Sequence, residues 1–286
     1  MLMTYAILTL GILGLFFGLL LAVTARVFTV QSDPQVDAVR EVLPGSNCGA
    51  CGYAGCVNFA GAVVQGKAKT NGCIPGGGET ARAVAEVLGQ KFEEAVQPVA
   101  TVFCIGDVTR AADRYIYDGV KECAAANSIY GGFKACKYGC LGLGDCVRAC
   151  IFDAIKMGKH GLPVVDPEKC TGCGLCAEAC PRDIIKMLPK GEQGHLVLCS
   201  SHDRGKAVSS VCSVGCIACK ACIKACPRDA IVMEDNLAVI DLEKCDDCGE
   251  CVLKCKPGTI HKRSAIPTAD EAFAAAGAAE EKEETA

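Results

Sequence analysis

An α+β fold of small metal-stabilised modules, carried behind one N-terminal transmembrane helix, follows from three features of the chain. Its 286 residues hold 24 cysteines and no Trp, a composition of modules held together by ligation and not by one large apolar core. The run Cys170-Thr-Gly-Cys173-Gly-Leu-Cys176-Ala-Glu-Ala-Cys180-Pro181 sets three thiols at C-x2-C-x2-C spacing and a fourth just before a proline. Tyr5 to Ala25 carries no charged residue.

The cysteine run has the spacing of bacterial ferredoxins, in which the fourth thiol serves the other cluster of a pair. Three closely spaced thiolates wrap one corner of an iron-sulfur cubane, whereas a tetrahedral zinc site usually draws on two separated pairs, so zinc is the alternative. A secreted disulfide scaffold is the other use of so many cysteines, but ligand runs imply reduced thiols. The net charge of −4, with no basic block interleaved with aromatics, argues against nucleic acid as a partner.

Residues 1–28 are assigned to the transmembrane helix. As a helix, Tyr5 to Ala25 reaches about 31 Å, enough to cross the hydrocarbon of a lipid bilayer. A cleaved signal peptide fits less well, because no basic segment precedes the apolar run and no A-x-A site follows it. Arg26 is the first charge after the run, and the positive-inside rule then favours a cytoplasmic C-terminal side, which agrees with reduced thiols. Gly11, Gly14 and Gly18 share a helical face, either for close approach of another helix or as ordinary membrane-helix glycine.

Residues 33–97 form a first soluble module. Pro34 opens a helical run ending near Leu43, Cys48, Cys51, Cys56 and Cys73 follow at C-x2-C-x4-C-x16-C, and Ala81 to Phe92 reads as an amphipathic helix. Gly49, Gly52 and Gly55 let the backbone turn its N–H groups toward cluster sulfur. One 4Fe-4S cluster is expected here, with zinc the alternative. Gly76-Gly77-Gly78 lacks the lysine and hydroxyl of a phosphate loop and reads as a turn.

Two bacterial 2×4Fe-4S ferredoxin-like modules, 98–198 and 199–263, form an internal repeat. Gly139-Cys140 matches Gly215-Cys216, Cys146 matches Cys222, Cys150 matches Cys226, and the run Cys170 to Cys180 matches Cys245 to Cys255 within one residue. Val164-Val165-Asp166 and Val239-Ile240-Asp241 read as hairpin strands. Leu143 stands where the second module has Cys219, and Cys136 is the expected substitute. The crossed ligand rule then predicts Cys136, Cys140, Cys146 and Cys180 on one cluster and Cys150, Cys170, Cys173 and Cys176 on its neighbour. In the second module it predicts Cys216, Cys219, Cys222 and Cys255, and Cys226, Cys245, Cys248 and Cys251.

Cys104, Cys123, Cys199 and Cys212 remain. In the same register Cys123 matches Cys199 and Cys136 matches Cys212, each pair separated by x12. Two readings stay open: a sixth cluster held by these four, or buried free thiols. The expected cofactors are therefore five or six 4Fe-4S clusters. His160, His195, His202 and His261 show no ligand spacing. Lys220, Lys224 and Arg228 recur every four residues, either as a basic face docking an acidic redox protein or as a solvated helix face. Residues 264–286, rich in Ala and Glu, read as a disordered tail.

The order of membrane helix, four-cysteine module and two ferredoxin modules closely resembles the B subunit of the Rnf complex over nearly the whole chain. Its most specific parts are Asn47-Cys48-Gly-Ala-Cys51-Gly-Tyr-Ala-Gly-Cys56, Gly139-Cys-Leu-Gly-Leu-Gly-Asp-Cys146 and Lys169-Cys-Thr-Gly-Cys-Gly. The usual Cys-Pro is Cys150-Ile151 here, a departure that bears only on the potential of that site. The resemblance implies an inner-membrane complex that oxidises reduced ferredoxin, reduces NAD and pumps sodium ions or protons. It implies that this chain takes electrons from ferredoxin and passes them to membrane subunits and their flavins.

The residues themselves limit that role. No G-x-G-x-x-G follows a strand and no S/T-G-A-T flavin site occurs, so neither a nucleotide nor a flavin site is expected on this chain. The one apolar span has no carboxylate for an ion path. Electron transfer without bond-making remains, so no catalytic residue is expected. Two alternatives stand beside it: an electron-transfer subunit of another anaerobic membrane oxidoreductase, and a zinc-stabilised interaction protein.

Overall fold

The computed structural model describes residues 2–27, 33–92, 97–191 and 193–266. Most of the expected tail, beyond residue 266, lies outside these residues. Helix α1 (Leu2–Val27) runs unbroken, and residues 7–26 of it are long and apolar enough to cross a membrane. Its hydroxyls turn inward: Thr9 Oγ1 donates to the Tyr5 carbonyl at 3.0 Å and Thr24 Oγ1 to that of Leu20 at 2.9 Å, which spares the apolar surface an unpaired polar group.

The first module packs α2 (Pro34–Val42), α3 (Cys56–Val64) and α4 (Gly77–Leu88) around Val39, Phe59, Val63 and Val84. Asp33 caps α2 through the Gln35 N–H, with Pro34 at the first helical position. The amphipathic helix expected over 81–92 runs instead from Gly77 to Leu88, stopped by the left-handed Gly89, so the triple glycine forms the start of a helix as well as a turn.

The first ferredoxin module is closed by two antiparallel pairs. Strand β1 (Pro98–Val102) pairs with β4 (Ile185–Pro189), bringing the ends of the module together, and β2 (Ile155–Met157) pairs with β3 (Pro163–Val165) as an inner hairpin. Short helices α5 (Cys123–Ser128), α6 (Asp145–Arg148) and α7 (Leu175–Glu178) lie between them. The second module repeats the plan. Strand β5 (His195–Val197) pairs with β8 (Ile260–Lys262), and β6 (Ile231–Glu234) with β7 (Leu237–Ile240). Helices α8 (Gly205–Val211), α9 (Ala221–Ala225) and α10 (Glu250–Lys254) complete it.

The cores are small and rich in cysteine. Ile155, Ile184 and Ile185 pack with Cys140, Cys146, Cys170 and Cys176 in the first ferredoxin module, and Val197, Ile231 and Ile260 with Cys222 and Cys251 in the second. Cluster loops turn through left-handed residues just before α6, α7, α9 and α10: Gly144, Gly174, Lys220 and Gly249. Gly172, at φ +78°, sits so close to the Pro98 carbonyl that a Cβ would collide with it.

The two ferredoxin modules meet along a specific joint. Ala111 bridges Cys212, the Ala112 N–H donates to the Val211 carbonyl at 2.8 Å and the Ser213 N–H to that of Arg110 at 2.9 Å. Ser200 Oγ donates to the Phe103 carbonyl at 2.9 Å, and Lys137 pairs with Asp203 at 3.0 Å.

Candidate metal centre

All 24 cysteines are free thiols. Among the described residues no three His, Cys, Asp or Glu side chains meet at a single point; the thiols gather in fours instead.

In the first module, burial pushes the Cys73 thiol up, and the charges at Cys56, Cys51 and Cys48 add to it. Asn47 shapes this loop: it sits at φ +48°, and its Oδ1 accepts the Cys56 N–H at 2.8 Å, fixing the start of α3. A second quartet is Cys150, Cys170, Cys173 and Cys176. Burial pushes Cys176 up to about 12, reinforced by Cys170, Cys173, Cys146 and Cys150. The Ala100 N–H of β1 points at Cys170 Sγ (3.5 Å) and the Ala154 N–H at Cys150 Sγ (3.4 Å).

Two quartets in the second ferredoxin module line separate cavities, Cys216, Cys219, Cys222 and Cys255 in one and Cys226, Cys245, Cys248 and Cys251 in the other. The Thr259 N–H donates to Cys255 Sγ at 3.3 Å. Cys219 and Cys248 alone among the cysteines are exposed.

The remaining eight thiols do not gather as the spacing suggested. Cys123, not Cys136, lines a cavity with Cys140, Cys146 and Cys180. Cys136, not Cys123, shares a cavity at the module joint with Cys104, Cys199 and Cys212. The cause is local. A turn at Gly139, whose N–H bonds the Cys136 carbonyl at 3.2 Å, separates Cys136 from Cys140. Cys123 opens α5, which Asp145 pins in place: its carboxylate accepts the N–H groups of Cys123 at 2.8 Å and Ala124 at 2.9 Å. The x12 register missed this because it paired Cys123 with Cys199. Position relative to the strands would have found it, since Cys104 lies two residues past β1 and Cys199 two past β5.

The quartets follow one another in space. Burial raises the Cys173 thiol, and the charge at Cys48 adds to that of Cys150 there, so the first module abuts the quartet of Cys150. Cys146 acts in the same way on Cys176. Cys140 lines both its own cavity and the joint cavity, and its N–H donates to Cys104 Sγ at 3.4 Å. On the second module's side of the joint the Cys216 N–H donates to Cys199 Sγ at 3.4 Å. Burial pushes Cys251 up to about 11, with Cys222 of the neighbouring quartet among the charges that add to it.

The basic residues do not form the regular face their spacing suggested. Helix α9 ends at Ala225 before Cys226-Pro227, which leaves Arg228 outside it, its Nε on Asp246 at 2.8 Å. Lys220 and Lys224 stay exposed, Lys220 next to Cys219 in the chain.

All-sulfur quartets with backbone N–H donors suit a 4Fe-4S cluster, whose sulfurs accept such bonds. Three family models match: a putative Fe-S cluster over residues 43–75, a 4Fe-4S binding domain over 163–186 and a 4Fe-4S dicluster domain over 215–260. Fold and site together define an iron-sulfur electron-transfer protein with a membrane-associating helix. The chain is 49% identical over 251 residues to the B subunit of the Na(+)-translocating ferredoxin:NAD(+) oxidoreductase complex of Acetobacterium woodii, covering 88% of this chain and 75% of that one. It is 48% identical to the proton-translocating counterpart of Clostridium ljungdahlii, covering 87% and 88%. It is 44% identical to the B subunit of the ion-translocating oxidoreductase complex of Methanosarcina acetivorans, covering 88% and 95%. The chain belongs to this family, the B subunits of the Rnf ion-translocating ferredoxin:NAD oxidoreductase complexes.

Proposed function

We propose that this chain is the membrane-anchored subunit that accepts electrons from reduced ferredoxin and relays them to the flavin-bearing membrane subunits of an ion-pumping ferredoxin:NAD oxidoreductase complex. The observation that carries this reading is the succession of thiol quartets between two different ends. At one end Cys219 and Cys248 are exposed; at the other the first module follows the apolar helix α1. Electron tunnelling falls steeply with distance, so exposed ligands mark where a diffusible donor delivers electrons.

In this reading five quartets hold one 4Fe-4S cluster each: Cys48, Cys51, Cys56 and Cys73; Cys150, Cys170, Cys173 and Cys176; Cys123, Cys140, Cys146 and Cys180; Cys216, Cys219, Cys222 and Cys255; Cys226, Cys245, Cys248 and Cys251. A bound cluster supplies reversible one-electron storage. The chain's own residues hold it, exclude water and aim N–H groups at sulfur, as Ala100, Ala154 and Thr259 do, which favours the reduced form. Lys220, next to Cys219, and the exposed Lys224 supply positive charge on this module, the complement of an acidic ferredoxin. Arg26, following the apolar span, supports a position of the modules on the cytoplasmic side of the inner membrane.

The test is stopped-flow mixing of the purified chain with reduced ferredoxin, followed by the bleaching of iron-sulfur absorbance near 400 nm. Rapid bleaching that is lost in Cys216→Ser supports the proposal; a chain that ferredoxin leaves oxidised sinks it. Co-purification with flavin-bearing membrane subunits separates this complex from another anaerobic oxidoreductase.

A further inference from the structure

We infer that Cys104, Cys136, Cys199 and Cys212 hold a sixth 4Fe-4S cluster at the joint between the two ferredoxin modules, and that this site is the electron bridge between them. The inference rests on the iron-sulfur reading above and deepens it.

The joint is built symmetrically from the repeat. Each module gives one thiol two residues beyond its first strand, Cys104 after β1 and Cys199 after β5. Each gives a second from a Cys-x2-Gly-Cys turn, Cys136 before Gly139-Cys140 and Cys212 before Gly215-Cys216. The hydrogen bonds repeat as well, Cys140 N–H to Cys104 Sγ and Cys216 N–H to Cys199 Sγ, both 3.4 Å. Two half-sites of equal construction thus face each other across one cavity.

The surroundings fit a cluster better than spare thiols. Cys199 Sγ accepts a second N–H, from Ser201 at 3.4 Å. A glycine stands where a side chain would crowd sulfur: a Cβ at Gly106 would lie 3.2 Å from Cys212 Sγ. Backbone N–H groups are thus directed at thiols that a free-thiol core would not need to solvate. Topology supplies the need. The quartets of Cys123 and of Cys216 stand on opposite sides of this cavity, joined to it through Cys140 and Cys216. Each electron that a neighbouring reduced cluster on one side gives up is gained by the oxidised cluster on the other, and the joint lies between the two.

Iron and acid-labile sulfide counted on the fully loaded, full-length chain test this directly. About 24 of each per chain are expected from six cubanes, and about 20 overturns the sixth site while leaving the iron-sulfur reading intact. A chain that binds no iron overturns both. Ligand pairing is read from double variants. Cys136→Ala with Cys212→Ala should remove one cluster, about four iron, because both belong to one site. Cys123→Ala with Cys212→Ala should remove two, about eight. The reverse pattern would return Cys123 to the joint and overturn the assignment. EPR of the reduced variants checks that the other signals survive, so that a count lowered by unfolding is recognised as such.

Discussion

At the scale of single residues, the backbone is bent to serve sulfur. Asn47 holds a left-handed φ of +48° so that its Oδ1 can take the Cys56 N–H. Asn47→Ala removes that acceptor and leaves a β-carbon in a strained conformation with nothing to offset it, a loss of about 1–2 kcal/mol. Faster loss of one cluster to an iron chelator, with the others retained, is the expected outcome. Ala218 is the converse case: it sits at φ +54°, where the matching residues of two other loops, Gly142 and Gly172, are glycine. Ala218→Gly should relieve about 1 kcal/mol of backbone strain and slow chelator attack on the quartet of Cys216. Unchanged lability would mean that the loop is set by its cluster alone. The groupings around the C-x2-C-x2-C runs were legible in the sequence, because such runs depend only on local spacing. Cys123 and Cys136 were not, because the short stretch of chain between Cys136 and Cys140 says nothing about which way the Gly139 turn points a thiol.

At the scale of elements, short helices act as ligand carriers and not as packing units. Helix α5 spans six residues, too few to persist without outside support. Asp145 provides that support through two N–H bonds from the first turn of α5, where a carboxylate also meets the positive end of the peptide dipoles. Asp145→Ala should therefore release Cys123 and remove the cluster it shares with Cys140, Cys146 and Cys180, lowering the iron count by about four. An unchanged count would show that Cys123 is held without α5. The hairpins were legible from Val164-Val165 and Val239-Ile240, since runs of β-branched residues mark strands locally. The outer pairs β1–β4 and β5–β8 were not, because they join residues far apart in the chain. The excursion that carries Cys123 also hid the equivalence of Cys104 and Cys199. Cys104 to Cys136 spans 32 positions and Cys199 to Cys212 only 13.

At the scale of the whole molecule, metal takes the place of a core. Buried cysteines stand beside a handful of Ile and Val in each ferredoxin module, too little apolar area to offset the chain entropy unaided. Removing iron with a chelator should therefore make both modules protease-sensitive together, and a cluster-free chain as resistant as the loaded one would contradict this. The module order and the apolar helix were legible in the sequence, since each is a local pattern. The joint was not, because it exists only where two repeats face each other. If electrons run from the exposed rim at Cys219 and Cys248 toward the first module, breaking the joint must divide the wire. The most direct measurement is rapid-freeze EPR after mixing the full chain with reduced ferredoxin, wild type against Cys212→Ala. The account predicts reduction of every cluster in the wild type, and fast reduction of only the second ferredoxin module's two clusters in the variant. Reduction of all remaining clusters at the wild-type rate, or of the first ferredoxin module before the second, would contradict it.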